Sequence, residues 1–289
     1  MAAKDIGPRR KRLIASIAEA VYSDYAKKIP VRPAQIIEAN GIGLTYNNYG
    51  DAFDGMIEHK SGKFHIYCNV GAGDSAESPR MRFTQAHELG HYFIDEHRNS
   101  LADGQPPHGS KIDGPGELMV EREANYFASH LLMPGSQLAQ HLTCSSGGLQ
   151  AILDAGSTFG VSTQSTAIRF VQDCGRRRAI VMFRENGTSW SEVSSELASS
   201  GFLFTHKFRY GPPTGGAAQQ AMGLPKKGLS GIIKTASTAT TWFSGVSADS
   251  ERNEIITEEA VRLGSRGVLA LLTFTQLPLQ NMRVASGAS

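Results

Sequence analysis

One stretch constrains this chain more than any other: Phe83-Thr84-Gln85-Ala86-His87-Glu88-Leu89-Gly90-His91. On a helix, residues i and i+4 share a face, so His87 and His91 can hold one metal ion from the same side. Glu88 stands beside that face, placed to take a proton from a water on the ion, as in His-Glu-x-x-His zinc hydrolases. The same pattern also arises by chance on surface helices whose imidazoles are merely solvated. Its surroundings favour the chemical reading. Ser78-Pro79 predicts a helix start, with Ser as N-cap and Pro at the first helical position. Phe83, Ala86, Gly90, Phe93 and Ile94 follow at helical spacing and give that helix a buried face.

A catalytic zinc takes three protein ligands and keeps one position open. His97 is one candidate for the third ligand, since His87 to His97 fits the longer pattern His-Glu-x-x-His-x-x-Gly-x-x-His everywhere except Ile94, where Gly is required. On an unbroken helix His97 would lie roughly 9 Å beyond His91. A β-branched Ile resists the left-handed turn that would bring it back. The bland alternative is that His97 closes the helix as a cation near its C-terminus. The other candidates lie on a helix predicted from Glu117 to Leu132 and stopped by Pro134. There Val120, Ala124, Phe127, Ala128 and Leu131 form a buried face, and Glu121 and Glu123 flank it on opposite sides, each about 80° from its centre. Asn125 shares the side of Glu121 and can orient a ligating side chain through a hydrogen bond. That favours Glu121, with Glu123 as the alternative and an ordinary solvated acid as the fate of the other.

The remaining chain frames this pair of helices. Residues 8–27 carry an apolar stripe of Leu13, Ile14, Ile17, Ala18 and Val21, and residues 31–41 form a second, short helix closed by Gly41. Strands are predicted at 42–46, 55–59 and 63–70, then a loop to residue 77. Residues 99–116, rich in Gly and Pro, predict a long loop beside the substrate cleft. Short helices follow near 135–143, 148–156 and 162–173. From Arg177 the pattern turns to strands, at 179–184, 202–210, 232–243 and 267–274, with a turn at Glu185-Asn186-Gly187 and a short helix at 217–222. The tail at 285–289 is expected to fray.

The fold class expected is therefore α+β: a mainly helical, zincin-like domain over residues 1–175, with a small sheet and helix-turn-helix-like helices at about 135–173, then a smaller β-rich domain over 176–289. The 289 residues suffice for one large or two modest domains, and 40% hydrophobic with 19% charged residues is ordinary globular composition. No apolar run reaches membrane-spanning length, and the N-terminus does not resemble a secretory signal. Cys68, Cys144 and Cys174 are scattered and odd in number, which points to a reducing cytoplasm and away from a thiolate zinc site. A net charge of +2 is too weak to argue for nucleic acid. The run Arg9-Arg10-Lys11-Arg12 reads as a solvated helix end, with phosphate contact as the sharper alternative.

Two segments together carry a resemblance. Arg82 to Tyr92, followed by Glu121-Arg122-Glu123-Ala124-Asn125-Tyr126-Phe127-Ala128-Ser129-His130-Leu131-Leu132-Met133-Pro134, resemble the ImmA/IrrE family of metallopeptidases over roughly residues 10–175. The resemblance implies a gluzincin-like site with His87 and His91 as ligands, Glu88 as base, and the third ligand mapped onto Glu121. It implies a zinc endopeptidase, with manganese also acceptable to such a ligand set. The implied partner is a helix-turn-helix repressor, whose cleavage derepresses stress-response or mobile-element genes. The C-terminal region resembles extensions that serve sensing in some members. Residues 159–170 read like the turn and second helix of a helix-turn-helix; with Arg169 almost its only basic residue, that helix favours packing or repressor docking over DNA. The competing class is a non-proteolytic zinc protein that regulates or senses through a partner or DNA, which leaves the retention of Glu88 unexplained. For an oxyanion partner only Tyr92, His108 and His130 stand out, without a pattern to choose among them.

Overall fold

The structure is a computed structural model that describes residues 6–71, 75–105, 109–110, 119–141, 147–173, 175–204, 211–244 and 254–275. Helices and sheets combine in an α+β arrangement. The chain divides into two compact units, Met1–Thr143 with Ala151–Thr166, and Cys144–Gln150 with Ala167–Ser289.

The first unit begins with α1 (Pro8–Val21), which continues as a π-helical turn over Tyr22–Ala26, then α2 (Pro33–Ala39). Strands β1 (Gly43–Asn47), β2 (Gly55–Lys60) and β3 (Lys63–Asn69) follow, then α3 (Pro79–Phe93) and α4 (Asp95–Ala102). A two-residue strand, β4 (Gly109–Ser110), precedes α5 (Met119–Leu132) and α6 (Gly135–His141). The sheet order is β1-β3-β2-β4, with β1 and β3 parallel and the other pairs antiparallel. Helix α3 packs against β2 and β3 on one side and against α5 on the other, and α1 packs on α5. The core runs through these contacts: Ile14 and Ala18 of α1, Ile57 and Ile66 of the sheet, Ala86 and Leu89 of α3, and Ala124, Phe127 and Leu131 of α5 are buried. Each fully buried side chain of the Leu, Ile or Phe kind contributes about 1.5–3 kcal/mol.

Helices α7 (Leu149–Phe159) and α8 (Thr163–Asp173) are joined by a turn at Gly160, and the division between the units passes through both. The second unit then adds β5 (Arg178–Arg184), β6 (Gly187–Val193), α9 (Ser195–Ser199) and β7 (Leu203–Phe204). Next come α10 (Ala217–Met222), β8 (Ile233–Thr238), α11 (Ala239–Trp242), β9 (Phe243–Ser244), β10 (Ile255–Arg262) and β11 (Val268–Phe274). Its main sheet is antiparallel, in the order β6-β5-β11-β10-β8. Val181, Phe183, Trp242, Ala260, Ala270 and Leu272 belong to its apolar cluster.

Several elements differ from the sequence expectation. The first helix changes to π geometry after Val21, and the residues expected to open the loop at 99–116 still belong to α4. The strand expected at 232–243 ends at Thr238 and gives way to α11. Strands β6 and β10 were not expected. The strand expected at 202–210 is described only as Leu203–Phe204; its remainder and the tail lie outside the described residues. No helix among the described residues is long and apolar enough to cross a membrane.

Candidate metal centre

The centre is built on α3. Ser78 caps it, its Oγ accepting from Met81 N at 3.2 Å, with Pro79 at the first turn; such a cap contributes ~1 kcal/mol. Every residue from Thr84 to His91 is buried. The helix is fixed from below by Arg82, which donates to the carbonyls of Val31 (2.6 Å), Phe159 (3.1 Å) and Gly160 (2.9 Å). Two of those carbonyls close the C-terminal end of α7, where backbone acceptors lack helical partners and a cation is favoured. Gly90 allows the close approach of α5: a Cβ there would lie 3.1 Å from Ala124 Cα.

This packing brings α5 alongside α3 with Glu121 facing the two imidazoles. His87 Nε2 lies 3.1 Å from Glu121 Oε2 and 3.2 Å from His91 Nε2, and His91 Nε2 lies 3.5 Å from Glu121 Oε1. Among the described residues, these three side chains form the group able to hold a metal ion, with their candidate ligand atoms all within 4.8 Å of one another. Asn125, one turn after Glu121, puts Oδ1 2.8 Å from His87 Nδ1. The Nδ1–H donates to it, so the Nε2 lone pair points at the carboxylate.

Three electron-rich atoms thus face one another in a largely buried space, and Glu121 Oε1 accepts no hydrogen bond from the chain. Such an arrangement is stable around a cation and costly without one. The three groups also shift one another's titration. Burial works against charge on His87, yet the hydrogen bond to Glu121 and the fields of Glu88 and Glu121 outweigh it and raise its pKa. Burial lowers His91 to about 4 against the pull of Glu121, so its imidazole is neutral at pH 7. Burial likewise opposes ionisation of Glu121, but the two imidazoles outweigh it and hold the carboxyl well below the usual range. Two imidazole nitrogens and a carboxylate are the donor set that a divalent transition ion takes. The residues present therefore fit the group.

Glu88, next to His87 on α3, is fully buried where that helix packs against β2. Gly55 of β2 makes room for it: a Cβ at that position would stand 2.6 Å from Glu88 Oε1 and 2.5 Å from Thr84 Cγ2. Cys68 lies behind, its thiol pushed up to about 12 by burial and by the Glu88 charge.

His97 and Glu123 go elsewhere. The chain breaks at Ile94, which adopts φ −82° and ψ 111°, an extended conformation open to a β-branched residue, so α4 starts anew. His97 therefore neither extends nor closes α3; it is buried on α4 with its ring 5.2 Å from that of His91. Its Nε2 meets Glu123 Oε2 at 3.1 Å. Glu123 also accepts from Arg10 twice, at 2.9 Å from Nε and 2.6 Å from Nη2, and Arg10 reaches Glu96 at 2.9 Å. Sequence reasoning missed the role of Arg10, placed in a basic run with a solvated or a phosphate-contacting reading, and the roles of Gly55 and Arg82. A Gly within a predicted strand, a sign of close approach by another element, was the available signal for Gly55; Arg10 and Arg82 act at long range and left none. Of the oxyanion guesses, His130 Nδ1–H donates to Tyr126 O at 2.8 Å, Tyr92 packs on Phe64, and His108 lies outside the described residues.

Residues 62–171 match the profile of the family Peptidase_M78, described as an IrrE N-terminal-like domain. These residues thus carry a domain similar to those of the ImmA/IrrE metallopeptidases, a likeness that implies a divalent metal, and a His–His–Glu cluster able to hold one is present. A solved structure described as a Mycobacterium tuberculosis transcriptional regulator shares the fold, with a TM-score of 0.57 at 14% identity over 96% of each chain. No curated protein sequence matches the chain.

Proposed function

We propose that the chain is a zinc-dependent endopeptidase acting in the cytoplasm on a helix-turn-helix transcriptional repressor, so that cleavage derepresses stress-response or mobile-element genes. The observation that carries this reading is the convergence of His87, His91 and Glu121 within 4.8 Å, with Glu88 buried one residue from His87. A divalent ion held by those three side chains supplies Lewis acidity toward the scissile carbonyl and toward water. Glu88 accepts the proton of the attacking water at its carboxylate and passes it to the leaving amine. Asn125 keeps His87 in the tautomer whose Nε2 is a ligand atom. The choice of a repressor as substrate is supported by the likeness of residues 62–171 to an IrrE N-terminal-like domain and agrees with the regulator that shares the fold. In this reading the helices at 135–173 dock the substrate, and the C-terminal domain senses the signal that licenses cleavage.

The test incubates the zinc-loaded chain, its manganese-loaded form and the Glu88→Gln variant with the repressors encoded beside its gene. A discrete cut is expected from the zinc-loaded chain. Glu88→Gln keeps its metal by elemental analysis and loses ~10²–10⁴-fold in kcat/KM. A Glu88→Gln variant that cuts as fast as the parent overturns the reading.

A further inference from the structure

A cavity of about 160 Å³ opens beside the metal cluster. Its apolar walls come from three elements, Ile57 of β2, Leu101 of α4 and Val120 of α5, and its inner side includes the rings of His91 and His97. Two of these residues tie it to the site already described. His91 is a ligand there, and Val120 is the chain neighbour of Glu121. An occupant of the cavity therefore lies next to the reacting centre.

Size and chemistry narrow what that occupant is. An apolar cavity of roughly 150 Å³ accommodates a benzene-sized group, whereas pockets for whole small ligands run to about 300–1,000 Å³. The space suits one side chain of a longer molecule. Two polar groups on its wall are engaged, His97 Nε2 with Glu123 at 3.1 Å and the Glu96 carboxylate with Arg10 at 2.9 Å; Ser100 also lines it, and His97 Nδ1 is buried without a hydrogen-bond partner among the described residues. The accessible lining is mainly apolar all the same, and a charged group placed there would be desolvated without compensation.

We infer that this cavity is the side-chain subsite of the peptidase, taking a Leu-, Met- or Phe-sized apolar residue of the substrate next to the bond that is cut. The inference rests on the peptidase reading and names what that reading leaves open, the residue that selects the cut. Ile57 and Leu101 are the residues that set its size. A hydrophobic pocket discriminates by about 10–200-fold per methylene gained or lost, so small changes in either are expected to move the preference.

The experiment has two arms. In the first, N-acetyl amides of Ala, Leu, Met, Phe, Trp and Glu are titrated into the metal-loaded full chain, and the methyl signals of Ile57, Leu101 and Val120 are followed by NMR. The Leu, Met and Phe amides are expected to shift them, and the Ala and Glu amides are not. In the second, cut sites in a peptide mixture are mapped by mass spectrometry for the parent, Leu101→Phe, which narrows the space, and Ile57→Ala, which widens it. The parent is expected to show one fixed position occupied by Leu, Met or Phe. Ile57→Ala is expected to raise the Phe-to-Leu ratio of kcat/KM about tenfold, and Leu101→Phe to lower it. Unmoved methyl signals, or an equal response to the Glu amide, overturn the inference. So does cleavage whose preference is the same in all three proteins, which leaves the peptidase reading standing. Selective binding of the apolar amides by a chain that cuts no peptide supports the cavity assignment and sinks the peptidase reading instead.

Discussion

Two His–Glu clusters lie side by side in the first unit, and the contrast between them sets apart the one whose side chains could hold a metal ion. Both draw an acid from α5: Glu121 meets His87 and His91, while two residues later Glu123 meets His97. The rings of His91 and His97 are only 5.2 Å apart. The difference is the cation. Arg10 reaches in from α1 and gives Glu123 two charge-assisted hydrogen bonds in the fork geometry suited to a carboxylate. Glu121 receives no such partner, and its Oε1 accepts no hydrogen bond. One cluster carries its own positive charge as a side chain; the other leaves a place for an ion. Two acids that look interchangeable on a helical wheel are thus separated by what lies across from them.

The sharpest way to break this contrast is to neutralise each acid in turn. Glu121→Gln removes one of three candidate ligands. Taking about a third of the roughly 10–16 kcal/mol that a complete zinc site supplies, affinity is expected to fall on the order of 10³-fold. Glu123→Gln is expected to leave zinc bound at one equivalent, because its carboxylate faces Arg10 and His97. Metal stoichiometry after dialysis against a weak chelator reads both. Loss of zinc from Glu123→Gln with retention by Glu121→Gln would reverse the assignment.

A smaller effect is expected from the other side of the comparison. Arg10→Ala strands Glu123, whose side chain is 9% exposed, beside His97. Breaking a fully buried pair costs about 3–5 kcal/mol; with the Arg10 side chain 24% exposed, solvent screening reduces this to roughly 2–3 kcal/mol. Urea unfolding of the metal-loaded protein measures it. The double variant Arg10→Ala, Glu123→Gln is expected to recover part of the loss, since no uncompensated charge then remains. Equal losses in single and double variants would mean that Arg10 stabilises by packing alone.

How much of this was legible beforehand depended on whether the determining contact was local. The span of α3 follows from Ser78-Pro79 and from its own apolar spacing, which are short-range signals. The break at Ile94 was legible only in part. Its β-branch argues against a left-handed turn, but an extended residue breaks a helix equally well and brings His97 back beside His91. Strand β10 was hidden because Glu258 and Glu259 interrupt its apolar pattern. Both are buried, and their partners are distant in sequence: Glu258 accepts from Trp242 Nε1 at 2.6 Å and Ala217 N at 3.0 Å, and Glu259 from Leu149 N at 2.9 Å. Arg10 was hidden for the same reason, since nothing near it in the chain indicates that one of four basic residues meets Glu123.

Asn125 offers the finest test, because it separates an acid that is merely near the imidazoles from one embedded in an orienting network. Asn125→Ala removes the acceptor of the His87 Nδ1–H at 2.8 Å. The imidazole is then free to exchange tautomers and to rotate about its outer bond, and the Nε2 lone pair is no longer held toward Glu121. Loss of such an orienting partner typically costs ~10–100-fold in metal affinity. Alanine is the best helix former, so α5 itself is not weakened. Asn125→Asp retains an acceptor at the same place and is expected to bind zinc within a few-fold of the parent. Competition with a chromophoric chelator measures both variants. Equal affinity of the Ala and Asp variants would show that packing alone holds His87, and would remove the one feature that sets Glu121 apart from Glu123 in the sequence.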